Sequence, residues 1–319
     1  MATAQGAKSE QGAGKMHRKR IPSWWDVRQP SHTAEDLWMG TGDFRLGRRD
    51  FDVMAALFER NFMTTKNMDA FADRGSASNR LNKLFAQGIV ARISVPRMVG
   101  KEIHGREFAY SLTALGLECL IAGGHRDALE RRNSWKPPYT TGSLRNNVIH
   151  DLTVGDLCTG IVGYCESFEV LAGWKSARYT VQKANPMVAG GQSFIIVPDA
   201  AITLETSDTV LIEYEESLRP ESFGSRLADY RRYFHHKLWE PEYLKAPKVL
   251  ISASEEADRQ RYWANPFTKA LSMASEVVAL YPHVYLIKEQ MWRQGEWLVQ
   301  PLAPGREMIS LREAILGKV

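Results

Sequence analysis

The sequence predicts a chain of mixed structure (α+β or α/β) with two successive folded units. Short helical patterns separated by turn residues fill the first half, whereas apolar, β-branched runs alternate with longer helical patterns in the second. At 319 residues the chain is long enough for two domains, each with its own core. We expect a flexible basic tail and lead-in over residues 1–44, a first domain over 45–122, a connector over 123–142 and a second domain over 143–319.

The charge is unevenly distributed along the chain. Residues 1–142 hold 22 Lys/Arg against 15 Asp/Glu, a net of +7, and residues 143–319 hold 19 against 22, a net of −3. Because nucleic-acid affinity is largely electrostatic, the basic part suits a phosphate-binding domain, and the acidic part better suits a cation site.

Composition also limits the class of protein. No run approaches the roughly 18 apolar residues of a membrane span, and the N-terminus lacks the apolar stretch of a secretory signal. We therefore expect a cytoplasmic protein with no membrane contact. Cys119, Cys158 and Cys165 include no Cys-x-x-Cys pair, which predicts buried thiols rather than a disulfide framework or a zinc site.

Three short helical patterns, a strand, a basic loop and a second strand follow one another after Arg48. The helices are expected from Arg48 to an interruption at Asn61, from Thr64 or Thr65 to about residue 74, and over residues 79–87 with Gly88 at the end. The strands are expected at residues 89–93 and 107–112 with the loop at 97–106, and Thr113 caps a further helix. This order resembles a winged helix-turn-helix domain, and the Tyr-x-Leu-Thr-x-x-Gly run from Tyr110 to Gly116 is typical of how such wings end.

The third helix and the wing carry the side chains expected to contact bases or phosphates of DNA. On the helix these are Ser76, Ser78, Asn79, Arg80, Asn82 and Lys83, and in the wing Arg97, Lys101, His104 and Arg106. The alternative is a protein-interaction module whose polar faces are merely solvated.

Two acidic stretches stand out in the second half. Pro198-Asp199 follows one apolar run, and Glu213 and Glu215 end the next one. Strands of one buried sheet would bring these carboxylates together at an edge, and hard cations such as Mg²⁺ are held by carboxylates plus phosphate oxygens. The sequence therefore predicts a magnesium site formed by Asp199, Glu213 and Glu215. The alternative is that both glutamates lie on the solvent face of an ordinary strand.

The surrounding elements are expected in the order helix, three strands, helix, strand, helix and strand. Their expected ranges are 144–165, 168–174, 193–203, 209–215, 222–238, 248–252, 266–279 and, as the last strand, 283–289. The order of these elements and the acidic motif resemble the restriction-endonuclease-like core of the Pro-Asp…(Asp/Glu)-x-Lys nuclease superfamily. Glu215 stands where that superfamily usually has Lys, although some of its restriction endonucleases carry Glu-x-Glu.

Basic and imidazole groups of two helices could complete the site. Arg226 and Tyr230 form an i, i+4 pair after Glu215, and Arg226 could bind a scissile phosphate as part of the catalytic set. Alternatively it belongs to a solvated flank. His150 and Asp151 lie on the first long helix, from which either side chain could approach the metal, although a lone His is more often structural.

The combined pattern resembles the replication-relaxation family. The matching residues are Tyr110-Ser-Leu-Thr, His150-Asp-Leu, Pro198-Asp199, the run from Glu213 to Glu215, and Leu227-x-x-Tyr230. The resemblance implies DNA binding in the replication or mobilisation of plasmids, phages or integrative elements, with other replication or relaxosome proteins as partners. Symmetric DNA sites make a homodimer the default expectation. Two functions remain open: metal-dependent DNA cleavage or nicking, and a non-catalytic accessory factor or repressor.

Overall fold

The computed structural model describes residues 25–40, 44–69, 77–99, 102–140, 145–180, 182–183, 195–215, 220–253, 283–302 and 306–317. These residues form α-helices and two main β-sheets, so the prediction of a mixed α+β chain is confirmed. Ser76, Lys101 and the helix expected over residues 266–279 lie outside the described ranges.

The N-terminal part is a four-stranded antiparallel sheet with helices packed against it. The sheet order is β1-β3-β4-β2. The elements are β1 (Trp25–Asp26), α1 (Ala34–Met39), α2 (Arg48–Arg60), β2 (Met63–Thr64), α3 (Thr65–Asp69), α4 (Ala77–Ala86), β3 (Val90–Val99), β4 (Glu102–Leu112), α5 (Ala114–Ala122) and α6 (Arg126–Arg131).

Helices α2, α3, α4 and α5 begin close to where the pattern of apolar residues predicts them, and the second of them is described only to Asp69, but α1 lies in the expected flexible lead-in. Two expectations about the intervening segments also differ from the structure. The expected loop over residues 97–106 is mostly strand, because the β3–β4 ladder continues until Val99 pairs with Glu102. Backbone pairing needs no apolar side chain, so hydropathy placed the strand ends too early. The expected polar connector contains α6 and two buried aromatic residues, Trp135 and Tyr139.

Thr113 and Gly116 explain why the Tyr-x-Leu-Thr-x-x-Gly run ends the hairpin. The Thr113 hydroxyl donates to the Gly88 and Ile89 carbonyl oxygens, at 2.7 and 2.8 Å, and accepts from the Gly116 amide at 3.1 Å. It therefore caps α5 and fixes that helix to the turn after α4. A Cβ on Gly116 would lie 2.4 Å from the Ile89 carbonyl oxygen and 2.5 Å from Leu112 Cδ1. The close approach of α5 to β3 thus requires glycine.

The C-terminal part is built on a seven-stranded mixed sheet with the order β13-β12-β11-β10-β9-β8-β5. Strands β9, β10 and β11 are parallel, and the flanking strands pair antiparallel. The elements are α7 (Arg145–Glu166), β5 (Ala172–Ser176), β6 (Gln182–Lys183), β7 (Ile195–Ile196), β8 (Ala200–Leu204), β9 (Thr209–Glu215), α8 (Pro220–His235), β10 (Lys248–Ala253), β11 (Val284–Lys288), α9 (Glu289–Arg293), β12 (Leu298–Pro301), β13 (Ile309–Ser310) and α10 (Leu311–Leu316).

Two expectations for this part were wrong. The strand expected over residues 193–203 is split into β7, which pairs with β6 in a separate two-stranded sheet, and β8 of the main sheet. In addition, β11 is not the last strand. Strand β12 pairs antiparallel with β11, and β13 pairs antiparallel with β12, so the sheet continues for two strands. Both are short, four and two residues, which makes their alternation pattern too brief to recognise in the sequence.

Helices α7 and α8 cover opposite faces of the sheet. Leu157 and Ile161 of α7 pack in one core with Ile212 of β9. Leu227 and Tyr230 of α8 pack in another with Leu211, the preceding residue of β9. Because side chains alternate along a strand, β9 is buried on both faces, and its two glutamates lie on the face towards α8.

The two parts of the chain are in direct contact at the C-terminal end of α2. The Tyr179 hydroxyl donates to the Phe58 carbonyl oxygen at 2.5 Å, and the Ser176 hydroxyl donates to the Glu59 carbonyl oxygen at 3.0 Å. The Arg60 guanidinium lies 5.2 Å from the ring centroid of Trp174. These contacts fix the end of α2 against β5 and the turn that follows it.

All three cysteines are buried and unpaired, which confirms that expectation. Burial raises the pKa of the Cys119 thiol to about 12, so the thiol stays protonated at neutral pH. Within the described part of the chain, no helix is long and apolar enough to cross a bilayer.

Replacing Gly116 with Ala should destabilise the N-terminal part by about 1–3 kcal/mol, because the new methyl group overlaps backbone and Leu112. The measurement is the free energy of unfolding from urea denaturation. Gly163→Ala is the matched control, since that position of α7 has open space around a Cβ. The control should be neutral or stabilising by up to about 1 kcal/mol. Equal stability of the two variants would contradict the close approach at Gly116.

Candidate carboxylate site

Asp199, Glu213 and Glu215 lie at the same end of two adjacent antiparallel strands. Asp199 immediately precedes β8, whose first residue, Ala200, pairs with Ile212 of β9. The Asp199 Oδ2 accepts a hydrogen bond from the Tyr214 backbone amide at 2.8 Å. This bond fixes Asp199 beside the end of β9, where the two glutamates lie.

Glu213 is 3% exposed, and both of its carboxylate oxygens have donors on α8. The Tyr230 hydroxyl donates to Oε1 at 2.6 Å, and Arg226 Nη1 donates to Oε2 at 2.8 Å. Charge-assisted hydrogen bonds of this kind are what a buried carboxylate requires. The alternative that Glu213 lies on a solvent face is therefore wrong.

The same nitrogen of Arg226 also contacts Glu215. Arg226 Nη1 lies 2.6 Å from Glu215 Oε1, and Glu215 is 7% exposed. The guanidinium thus bridges the two glutamates, while about a third of the Arg226 side chain remains exposed. Arg226 is therefore not part of a solvated flank. Its position one helical turn before Tyr230 lets both side chains contact Glu213.

His150 approaches the cluster from α7, on the opposite face of the sheet. Its Nε2 lies 3.3 Å from the Tyr214 carbonyl oxygen and 3.6 Å from Asp199 Oδ2, and its Nδ1 lies 3.6 Å from Asp151 Oδ1. Burial lowers the pKa of His150, but the hydrogen bond with Asp151 and the negative charges of Asp199 and Asp151 outweigh burial and raise the pKa to about 9. His150 is consequently a second cation of the cluster at neutral pH.

The electrostatics of the three acids follow from burial. Desolvation raises the pKa of Asp199, Glu213 and Glu215. The pKa of Glu213 rises to about 8, because the negative charge of Asp199 adds to the effect of burial and the positive charge of Arg226 offsets only part of the two. The three acids thus share two cations, Arg226 and His150, and one proton at neutral pH, which the raised pKa of Glu213 assigns to that side chain. The cluster binds a proton more readily than isolated carboxylates do.

The arrangement does not fit the expected magnesium centre as it stands. Among the residues that the structure describes, no group of three His, Cys, Asp or Glu side chains is placed to hold one metal ion. Between Glu213 and Glu215 there is already a guanidinium, which donates a hydrogen bond to Glu213 Oε2 and lies within ion-pair distance of Glu215 Oε1, where a metal would need to bind. Mg²⁺ binding by Asp199, Glu213 and Glu215 stays a prediction.

The side chains expected to contact DNA occupy different environments. Ser78, Asn79, Asn82 and Lys83 are exposed on α4. Arg80 is only partly exposed, because its Nε and Nη2 contact the fully buried carboxylate of Asp50. DNA contact by these five residues stays a prediction.

The wing residues are described less completely. Arg106 donates from Nε to the Ser94 hydroxyl at 2.7 Å and from Nη2 to the Ser94 carbonyl oxygen at 2.9 Å, so it braces the hairpin. Arg97 lies in β3, but its side chain is outside the described part of the structure, as are Ser76 and Lys101 altogether. Their roles in DNA binding remain predictions.

Two members of the cluster were not among the predicted site residues. The sequence indicates His150 as a side chain that could approach the metal and Tyr230 as a partner of Arg226 in spacing, and both belong to the residues that match the family, but neither is assigned to the catalytic set. The signal for His150 is its adjacency to Asp151 on a helix that carries an apolar stripe. For Tyr230, the i, i+4 spacing from Arg226 gives no indication that its hydroxyl reaches a carboxylate.

Fold and site together define a mixed α+β protein with a buried acidic cluster at the end of its central strands. The chain belongs to the replication-relaxation family, whose model matches residues 54–249, more than half of the 319 residues. The family resemblance is thereby confirmed, and it connects the protein with replication. No curated protein and no solved structure matched the chain.

Replacing Tyr230 with Phe should destabilise the protein by about 1–3 kcal/mol, because Glu213 Oε1 loses its donor inside the protein. Tyr233→Phe on the same helix is the matched control: Tyr233 is equally buried, and its hydroxyl has no hydrogen-bond partner within the described ranges. The control should be neutral or slightly stabilising in urea denaturation. A Tyr230→Phe variant as stable as Tyr233→Phe would contradict the bond to Glu213.

Proposed function

We propose that the protein binds duplex DNA in the replication or mobilisation of a plasmid, phage or other mobile element. The segment from α2 to β4 would act as a winged helix, with α4 facing the DNA, and the seven-stranded sheet would be a nuclease-like domain. The exposed polar face of α4, with Ser78, Asn79, Asn82 and Lys83, supports this proposal, because hydroxyl, amide and ammonium groups bind base edges and phosphates.

Within this role, we infer that the C-terminal domain is a non-catalytic accessory domain. The observation that carries the inference is the Arg226 guanidinium between Glu213 and Glu215. A metal ion bridging these glutamates would have to displace this guanidinium, which already supplies the positive charge that two buried glutamates require. The cluster therefore serves the fold, and the domain is free to support dimerisation or docking of other replication or relaxosome proteins.

Metal-dependent cleavage or nicking of DNA is the second candidate function. It is favoured by the grouping of Asp199, Glu213 and Glu215 at one end of two strands, which is the arrangement of acids that the nuclease superfamily uses. On this alternative, Arg226 would turn its exposed edge towards a scissile phosphate.

Two assays on the purified full chain separate these functions. Fluorescence anisotropy with a labelled duplex should show binding that weakens steeply as salt rises and does not depend on added Mg²⁺. A supercoiled plasmid incubated with Mg²⁺ or Mn²⁺ should remain uncut. No duplex binding would contradict the DNA-binding role. Cleavage that is lost in Asp199→Ala would instead establish the nuclease, and that variant should also be checked for cooperative unfolding.

A further inference from the structure

A basic cavity lies between the start of α2 and the start of α4, away from the carboxylate cluster. Its volume is about 460 Å³. Four cationic side chains line it, together with one amide: Arg48, Arg49, Arg80, Lys83 and Asn79. None of the described lining residues is a carboxylate, and much of the surface they present to the cavity is aliphatic, so a ligand would meet positive charge at the ends of the side chains of Arg48 and Arg49 on α2 and Lys83 on α4.

The positions of Arg48 and Arg49 are electrostatically unfavourable for the helix itself. Both lie in the first turn of α2, where the backbone N–H groups point outward and the helix dipole is positive. Cations at this end cost roughly 0.3–1 kcal/mol each, whereas an anion there is stabilised. Asp50 offsets part of this charge, because its Oδ2 accepts the Gly47 amide at 2.7 Å.

Arg80 is held in a fixed orientation at the edge of the cavity. Its Nε and Nη2 donate to the two oxygens of Asp50, which is fully buried at the start of α2. This bidentate pair ties α4 to α2 and leaves Nη1 as the nitrogen that a ligand could use. The pair keeps the guanidinium in place without neutralising Arg48 or Lys83.

We propose that this cavity binds a phosphate group of the DNA backbone, with Arg48 and Lys83 as the principal contacts and Arg49 and Arg80 nearby. This proposal rests on the DNA-binding function proposed above and adds α2 to the surface that contacts the duplex. The ligand is an anion because the cavity presents four cationic side chains and lies at the N-terminus of α2. Because the cavity lies beside the exposed face of α4, the anion best placed to enter it is a backbone phosphate of the duplex that α4 contacts. That contact would fix the register of α4 on the DNA.

The test measures binding of a labelled duplex at several salt concentrations. Arg48→Gln and Lys83→Gln should each weaken binding about threefold to tenfold, and each should reduce the slope of log affinity against log salt by roughly 0.9, the loss of one phosphate contact. Arg80→Ala is unsuitable as the test, because it would leave the buried Asp50 without its cation.

Arg126→Gln is the matched control. It removes the same charge from the exposed surface of α6, where Arg126 pairs only with Glu130 in the described residues, and it should leave affinity and slope unchanged. Thermal unfolding of all three variants checks that each is folded.

Each outcome separates this proposal from the DNA-binding function. A wild-type protein that binds no duplex contradicts the function and the pocket together. Wild-type binding that Arg48→Gln and Lys83→Gln leave unchanged contradicts the pocket alone. A further experiment adds inorganic phosphate to the wild-type protein and both variants at constant ionic strength and measures their melting temperatures. If phosphate raises the melting temperature of the wild-type protein but not of the variants, and the variants bind DNA as tightly as the wild type, the cavity binds a free anion. That result would overturn the assignment to the DNA backbone.

Discussion

The ion-pair bridge from Arg226 to Glu213 and Glu215 is the constraint on which the arrangement of the C-terminal domain depends. Both glutamates are buried at the end of a central strand, where an unpaired carboxylate would be strongly destabilising. One guanidinium on α8 pairs with both of them by charge and donates a hydrogen bond to Glu213, and Tyr230 adds a second donor to Glu213. Because α8 provides these donors, the helix can dock on β9 only in the register that brings Arg226 and Tyr230 to the glutamates.

The cluster also connects the two faces of the sheet. Asp199 is fixed by the Tyr214 amide, and His150 reaches the same carboxylate from α7 on the other side. Cations therefore approach the three acids from both covering helices, which explains how three carboxylates can be buried together. With two cations and the proton that the raised pKa of Glu213 retains at neutral pH, the charges of the three acids are balanced, so the site does not need an external cation for stability. DNA recognition would then lie in the N-terminal part, whose basic residues do not contact the carboxylate cluster.

The sequence predicted α2, α4 and α5 of the N-terminal part and the course of β9, because their apolar periodicity is long enough to be distinctive, whereas α1 and α6, of six residues each, were missed. It also identified the acids, since carboxylates at the ends of β-branched runs are rare enough to notice. The direction in which Arg226 points could not be predicted. An Arg one turn before a Tyr is compatible with a solvated flank, a phosphate clamp or an internal ion pair, and only the tertiary position of α8 distinguishes them. The short strands β12 and β13 were missed for a different reason, because their pairing is imposed by β11 rather than by their own residues.

Divalent-metal binding tests the central claim most directly, that Arg226 is the resident cation of the cluster. Mn²⁺ would be titrated into the wild-type protein, Arg226→Gln and Arg226→Ala, with free Mn²⁺ followed by electron paramagnetic resonance and folding checked by circular dichroism. The account predicts that removing the guanidinium raises Mn²⁺ affinity at least about tenfold, a difference of roughly 1.4 kcal/mol. It also predicts that a further Asp199→Ala or Glu213→Gln change abolishes the gain. Wild-type protein that binds Mn²⁺ as tightly as the Arg226 variants, and loses the ion with Asp199→Ala, would contradict the account.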